Sequence, residues 1–194
     1  PRQERTLPSL AMLLAEKNRW SELATLARAH VRSTPWDPWG WMSLGLATHR
    51  KRDNAAAAAA FDSAMNYLSR NDRARLDQLE RLLPPKDSAR VAAMSAADRA
   101  ATQRLYWLSA DPIWSQQNGA PRLEFLSRVA FAELRWSVLE LRIHGADSDR
   151  GNIHIRYGPP GKTFTIAPDA AHQITDVTTV WIYESGLMFI FVGL

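Results

Sequence analysis

The chain contains no cysteine, and it has no long run of apolar residues. Without cysteine, a disulfide framework, a zinc-thiolate centre and a cysteine nucleophile are all excluded. The most apolar stretches, residues 55–61 and 186–194, are much shorter than the roughly 18 residues that a membrane-spanning helix needs. The sequence therefore predicts no membrane span.

The composition is that of an ordinary folded protein whose charge is uneven along the chain. The 194 residues are 46% hydrophobic and 23% charged, with a net charge of +4. Residues 1–104 carry 17 Lys and Arg against 11 Asp and Glu, whereas residues 105–194 carry 7 against 9. In the basic part the cations alternate with acids, which is typical of a solvated helix face. An example is the series Asp72, Arg73, Arg75, Asp77, Glu80 and Arg81.

The first third of the chain has the pattern of large and small residues that is typical of paired helices. Small residues at the contact let the two helices of a hairpin approach closely. The pattern is formed by Trp41, Leu44, Gly45, Ala57, Phe61 and Ala64. A less regular copy lies one repeat period earlier, at Leu7, Leu10, Ala11, Leu14, Trp20, Leu23, Ala27 and Pro35, with Asn18 at the turn. This resembles the tetratricopeptide repeat (TPR), and residues 1–70 are predicted to form TPR-like helical hairpins, with an ordinary helical hairpin as the alternative.

The TPR resemblance implies a partner groove on the first helix of the second hairpin. In that repeat family the inner face of this helix usually receives peptides. The groove residues would be Trp39, Met42, Leu46, His49 and Arg50. Trp and Arg are the residues most often found at interface hot spots. The alternative is that Trp36 and Trp39 pack against neighbouring parts of the same chain.

Residues 71–194 are predicted to form an α+β domain, with helices to about residue 143 and strands after it. Polar and apolar residues alternate with a period of two in four short segments, which predicts strands. These segments are residues 152–157, 163–166, 178–183 and 187–192. Segregated helices and strands favour a small antiparallel sheet packed on the helices.

Three helices are predicted before the strands. An amphipathic helix over residues 72–82 is expected to end at Pro84-Pro85, because proline cannot continue it. Ser95, with Asp98 three residues later, is expected to cap the next helix. A long helix with an apolar face is predicted over residues 122–143.

The same part of the chain resembles the bacterial GWxTD domain through an ordered set of residues. The set comprises Tyr106-Trp107, Asp111-Pro112, Asn118, Arg122, Glu124-Phe125, Arg128-Val129, Phe131-Ala132, residues 145–151, residues 157–160, Trp181, Tyr183, Phe189 and Phe191. The resemblance covers roughly residues 70–194. That family occurs beside TPR repeats in envelope-associated or secreted bacterial proteins and has no established biochemical role.

The family motif maps onto Gly145, Ser148, Asp149, Arg150, Gly151, Tyr157, Gly158, Pro159 and Pro160. Ala146 stands where the family has its tryptophan, whose role is then absent or supplied by Trp136 or Trp181. Asp149 can pair with Arg150 or Arg128, and Gly151 permits a positive φ. One interpretation is a turn that docks the sheet on the helices. The other is a ligand or partner site centred on Asp149, Arg150 and Arg156.

No catalytic residue, cofactor site or metal site is predicted. Ser148, Asp149 and His154 are the residue types of a hydrolase triad, but they lie in one short segment without the glycine elbow that exposes such a serine. The histidines never occur at the spacing of metal ligands.

These observations predict a non-enzymatic interaction or scaffold component of a larger bacterial assembly, with other proteins as its partners. The expected location is the cell envelope or periplasm, with the cytoplasm left open. Because the chain starts at Pro1 without methionine, we expect either that a targeting segment was removed or that an upstream part is missing, and the apolar run at its end indicates further sequence downstream. The alternative is a small-ligand binder or enzyme that uses Asp149 and Arg150. Nucleic-acid binding by the basic helical part is a weaker alternative.

Overall fold

The computed structural model describes residues 6–110, 119–138, 141–169 and 175–193, and the structural statements below refer to those residues. Helices precede strands in these ranges, so the fold is α+β, as predicted. The helices are α1 (Thr6–Glu16), α2 (Trp20–Ser33), α3 (Pro38–Arg50), α4 (Asn54–Tyr67), α5 (Arg70–Leu76), α6 (Pro85–Ala92), α7 (Ala96–Ala110), α8 (Ala120–Trp136) and α9 (Asp149–Tyr157). The strands are β1 (Lys162–Ile166), β2 (Thr178–Ile182) and β3 (Met188–Val192).

The first four helices form two hairpins, α1 with α2 and α3 with α4. Asp37 caps α3 by accepting a hydrogen bond from the Trp39 N–H at 3.0 Å, and Asp53 caps α4 by accepting one from the Ala56 N–H at 3.1 Å. Such caps satisfy N–H groups that the first turn of a helix leaves without partners. The two hairpins predicted from the sequence are therefore present, and their membership of the TPR family stays a prediction.

Gly45 allows α3 and α4 to approach each other closely. A Cβ atom at this position would lie 2.6 Å from the ring of Phe61 in α4. That ring is almost completely buried and has no free space to move into. The small residue is therefore a requirement of the helix contact.

Helix α8 connects the N-terminal and C-terminal parts through one core. It packs against α1, α3 and α4, and also against α9. Leu126 and Val129 of α8 are fully buried, and the same core extends from Ala11 in α1 to Ile155 in α9. The apolar core therefore continues across the predicted division at residue 70.

Residues 152–157 lie in helix α9, so the strand predicted there is wrong. The Ser148 hydroxyl caps this helix by accepting a hydrogen bond from the Gly151 N–H at 3.0 Å. The buried residues of α9 are Gly151, His154 and Ile155. Gly151 and His154 are three residues apart and Ile155 follows directly, so the three lie on one helix face. A strand would have buried Ile153 on the same side as Ile155, but Ile153 is only half-buried.

The helix predicted over residues 72–82 is shorter than expected. Helix α5 ends at Leu76, and a turn of 3-10 helix covers Leu79–Leu82. Pro85 is the first residue of α6, rather than part of a helix stop. Proline is favoured at this position because the first N–H of a helix has no partner inside the helix.

Helix α8 is also shorter than predicted, because it ends at Trp136. The next residue, Ser137, has an extended backbone, and its hydroxyl donates to Glu133 at 3.1 Å. The predicted start of α7 is confirmed, since the Ser95 hydroxyl accepts the Asp98 N–H at 3.2 Å. With 17 residues, α8 is the longest helix in the described ranges, and none of them is long and apolar enough to cross a membrane.

The three later strands are confirmed as one antiparallel sheet in the order β1-β2-β3. Its inner face carries aromatic rings that meet rings of the helices. Trp181 of β2 lies 5.6 Å from Trp136 of α8, and Phe189 of β3 lies 5.3 Å from Tyr157 of α9. The sheet is therefore attached to the helices through a layer of aromatic side chains, called the aromatic layer below.

The Gly45→Ala variant tests the close approach of α3 and α4. We expect its free energy of unfolding to fall by roughly 1–3 kcal/mol, because the new methyl group overlaps the Phe61 ring. Gly161→Ala is the control, since a Cβ there would have its nearest neighbour at 3.6 Å. Urea unfolding measures both variants, and equal stability of the two would contradict the close contact.

Candidate functional site

The motif segment over residues 145–151 is a tightly packed turn at the start of α9. A Cβ on Gly145 would overlap the carbonyl oxygen of Ala132 in α8, and a Cβ on Gly151 would overlap the carbonyl oxygen of Gly145. The Ser148 hydroxyl also donates to the Gly145 carbonyl at 2.7 Å. Gly151 is helical, so the positive φ predicted for it is wrong, and glycine is required there by lack of space.

A buried carboxylate of α8 holds this turn. Glu133, whose side chain is only 6% exposed, accepts hydrogen bonds from Arg75 at 2.7 Å and from the Ala146 N–H at 3.1 Å. The Ser137 hydroxyl is its third donor. A buried charge is costly unless it is paired and hydrogen-bonded, and here each partner comes from a different segment. Glu133 therefore fixes the motif turn against α8 and α5.

Arg81 holds the same turn from the other side. It donates to the Ala146 carbonyl at 2.7 Å and to Asn152 at 2.9 Å, and it forms an ion pair with Asp147. The solvated helix face predicted for Arg75 and Arg81 is wrong, because both side chains are largely buried. Their main carboxylate partners lie 58 and 66 residues away in the chain, beyond the reach of a local pattern.

The residues proposed for a polar ligand site point to different partners. Asp149 is exposed in the first turn of α9, where the helix dipole favours a negative charge. Arg150 lies over the Phe191 ring of β3, with 5.3 Å between the guanidinium and the ring centre. Arg156 donates to the Leu83 carbonyl at 3.0 Å. Arg150 and Arg156 thus bind the surrounding structure, and the three side chains do not converge on a shared space.

The last motif residues, 157–160, end α9 and lead the chain into β1. Gly158 has a φ of 81°, which favours glycine, and its carbonyl accepts a hydrogen bond from the Tyr183 hydroxyl at 3.0 Å. Tyr157 belongs to the aromatic layer. Pro159 is exposed and Pro160 is half-buried. The contacts of this segment support the interpretation of the motif as a junction between helices and sheet.

The predicted partner groove on α3 is not open, because α8 packs into it. Met42 and Leu46 are 1% and 0% exposed, and Trp39 packs against the same core. Helix α8 supplies the apolar surface that an external peptide would otherwise have provided. The prediction that these residues line an open partner groove is therefore corrected by the structure.

Glu124 of α8 forms ion pairs with the polar residues predicted for that groove, His49 and Arg50, and with Arg128. It lies 2.8 Å from His49 Nε2, 2.7 Å from Arg128 Nε and 3.6 Å from the Arg50 guanidinium. Burial alone raises the pKa of Glu124, but the hydrogen bonds from His49 and Arg128 and the charge of Arg50 lower it to about 2. Arg128 also donates to the Ile155 carbonyl at 3.2 Å, so it is engaged here rather than with Asp149.

His154 of α9 is buried in the aromatic layer. Its ring stacks on Phe131 at 4.8 Å and meets Trp136 edge-on at 5.3 Å. Its Nε2 has no hydrogen-bond partner within the described ranges. Burial lowers the pKa of His154 to about 3, and the charges of Arg50 and Arg128 act in the same direction. The imidazole is therefore neutral at ordinary pH.

The residue types considered for catalysis serve the turn and the core. The Ser148 hydroxyl is bonded within the motif turn, and His154 is enclosed by aromatic rings. Among the residues that the structure describes, no group of three or more His, Asp or Glu side chains is placed to hold a metal ion.

The outer face of the sheet is apolar and exposed to solvent. Strand register aligns its residues in three rows, which are Lys162–Ile182–Met188, Phe164–Val180–Ile190 and Ile166–Thr178–Val192. Its most exposed apolar residues are Phe164 (52%), Ile166 (42%), Met188 (57%), Ile190 (57%) and Val192 (68%). Contiguous apolar surface of this kind marks interaction sites. The alternation of the sequence predicted these strands, but it gave no sign that this face of the sheet is open to solvent.

Comparison of the chain with protein-family models, with curated proteins and with solved structures finds no match. The resemblances to TPR repeats and to the GWxTD domain therefore stay predictions. The choice of the outer face as the candidate site depends on its geometry and exposure alone.

Glu133→Ala tests the buried network. We expect it to lower the free energy of unfolding by about 1–3 kcal/mol, because it leaves the buried Ala146 N–H without its acceptor, while Arg75 keeps weaker pairs with Asp72 and Asp147. The control is Glu22→Ala, which removes an exposed ion pair with Arg19 and should cost at most about 1 kcal/mol. Denaturant unfolding of both variants provides the measurement, and similar losses would show that Glu133 is not a structural centre.

His154→Phe tests the buried neutral imidazole through the pH dependence of stability. His154 titrates near 6.5 in the unfolded chain and near 3 in the folded one, so between these values the unfolded state binds a proton that the folded state excludes. Stability therefore falls as pH falls, by roughly 2–3 kcal/mol between pH 6.5 and 4.5. The loss of the Glu124 contribution becomes large only below its unfolded pKa of 4.5.

We expect His154→Phe to flatten this part of the stability profile, while the profile above pH 7 keeps the slope of the wild type. Urea unfolding at a series of pH values measures both proteins. Parallel profiles between pH 6.5 and 4.5 would contradict the burial of a neutral imidazole.

Proposed function

We propose that this chain is a non-enzymatic interaction or scaffold component of a larger assembly, and that it binds another protein surface through the outer face of its sheet. The observation that carries the proposal is the exposure of that face. The alternation of β3 supports it, because Phe189 and Phe191 pack inward while Met188, Ile190 and Val192 point to solvent. A strand that is apolar at every position is typical of a sheet covered on both faces.

The remaining candidate surfaces are occupied within the chain itself. The α3 groove is filled by α8, and the polar residues of the motif turn bind one another and the neighbouring helices. The helices thus form a support that holds the sheet by its inner face, and the outer face stays free for a partner.

The family resemblances agree with this role. A GWxTD-like domain beside TPR-like hairpins implies a place in the bacterial cell envelope, among other proteins of one assembly. That location and the identity of the assembly belong to the proposal. Neither the family resemblance nor the geometry of the motif turn points to a particular reaction.

Ile190→Glu tests the proposal by placing a charge at the centre of one edge of the outer face. We expect proteins that co-purify with the wild-type chain from its host to be lost with this variant, since burying an unpaired carboxylate is costly. Thr165→Glu is the matched control, because Thr165 is exposed on the same sheet but belongs to the opposite face. Quantitative mass spectrometry compares the three preparations, and unchanged recovery with Ile190→Glu would count against the proposal.

A further inference from the structure

We propose that the partner of the outer face is a second copy of this chain, packed face to face about a two-fold axis. This inference rests on the proposed function, because it names the partner that binds the proposed interaction surface. Homodimers with two-fold symmetry are the commonest assemblies of soluble proteins. In such a dimer the same surface of each copy forms the contact, so its polarity, shape and area must all suit self-association.

The polarity of the outer face fits a self-association surface. Seven of its nine aligned positions are apolar, and the exceptions are Lys162 and Thr178. Interfaces between identical subunits are more apolar than transient interfaces, and charged residues are depleted from their centres. The middle row, Phe164–Val180–Ile190, is entirely apolar and would form the centre of the interface.

The position of the single charge is compatible with a two-fold axis. Lys162 occupies a corner of the face, at the end of an edge strand. A two-fold axis through Val180 in the plane of the interface, whether along or across the strands, places this corner over a corner of the partner. The ammonium group then stays at the rim in water while its aliphatic stem covers apolar surface.

The area of the face is sufficient for a modest dimer. At the exposed fractions given above, the five most exposed side chains leave roughly 500–600 Å² of apolar surface in water, which is the upper end for a monomer. Two copies with their rims would bury roughly 1,200 Å², which is near the lower limit of a stable interface.

The shape of the face also favours a sheet over a helix as its occupant. Three strands spaced about 4.8 Å apart form a surface wider than the apolar stripe of one helix, whereas a second sheet packs over its full width at about 10 Å. Packing of this kind would bury the outer face of the sheet, since an apolar face is stabilised by packing against another element.

Sedimentation velocity of the whole chain over a wide range of concentrations tests this inference. We expect a reversible dimer for the wild type and for Thr165→Glu. For Ile190→Glu we expect the dissociation constant of the dimer to rise at least about tenfold, so that the variant sediments mainly as a monomer. Circular dichroism and thermal unfolding confirm that Ile190→Glu remains folded. A wild-type monomer at every concentration would overturn the inference, and so would a dimer that Ile190→Glu leaves intact.

Cross-linking supplies a second readout that does not depend on a disruptive variant. The chain has no cysteine, so Val180→Cys introduces the only thiol, and it lies at the position through which the axis is expected to pass. A short bis-maleimide should link two copies of Val180→Cys, and it should not link two copies of Thr165→Cys. Linking of both variants, or of neither, would contradict the face-to-face arrangement.

The two proposals can fail separately. If the wild type is a monomer and Ile190→Glu loses a different co-purifying protein, the outer face is an interaction site but its occupant is not a second copy. If the wild type is a monomer that binds phosphatidylcholine and phosphatidylglycerol vesicles through this face, the occupant is a lipid surface and the inference is overturned. If the monomer shows neither behaviour, both the inference and the proposed function are contradicted.

Discussion

Helix α8 carries two carboxylates on which the arrangement of the other helices depends. Glu124 binds His49 and Arg50 of α3, and Glu133 binds Arg75 of α5 together with the N–H of Ala146 in the motif turn. Buried ion pairs add little net stability compared with apolar packing, but breaking one leaves a charge without a partner. An arrangement that separated either carboxylate from its partners would therefore leave a partly buried charge unpaired.

The same constraint determines the packing of the motif turn, residues 145–151. The backbone groups of Gly145 and Ala146 and the Ser148 hydroxyl are bound to one another, to Glu133 of α8, to Ser137 or to Arg81 after α5. The sheet is placed by the same junction, because the turn orients α9 and α9 presents Tyr157 to the aromatic layer. The junction therefore determines where the apolar outer face of the sheet lies relative to the helices.

Local patterns predicted the features that local physics determines. The hairpins, the cap at Ser95, and the three strands of the sheet follow from residue spacing within short windows. Residues 152–157 were assigned wrongly because six residues that alternate in polarity can form either a strand or one helix face. The capping serine at position 148 was the local signal that favoured the helix.

The features that the sequence did not reveal depend on distant contacts. The filling of the α3 groove needs α8, and the pairing of Arg81 needs Asp147, which lies 66 residues later. A pattern that describes one helix cannot show which other segment covers it. For the outer face, the sequence does indicate burial on both sides of the sheet, since β3 is apolar at every position. Only the ring contacts of Phe189 and Phe191 show which side of β3 packs inward and which side is left open.

The position of α8 in the α3 groove has a consequence for biosynthesis. His49 and Glu124 are separated by 75 residues, so the N-terminal hairpins leave the ribosome well before the helix that covers them. Long-range contacts of this kind slow folding, because a large loop must close before its contacts form. During that interval Met42 and Leu46 are uncovered, and the nascent chain presents an apolar surface to chaperones until α8 has been synthesised.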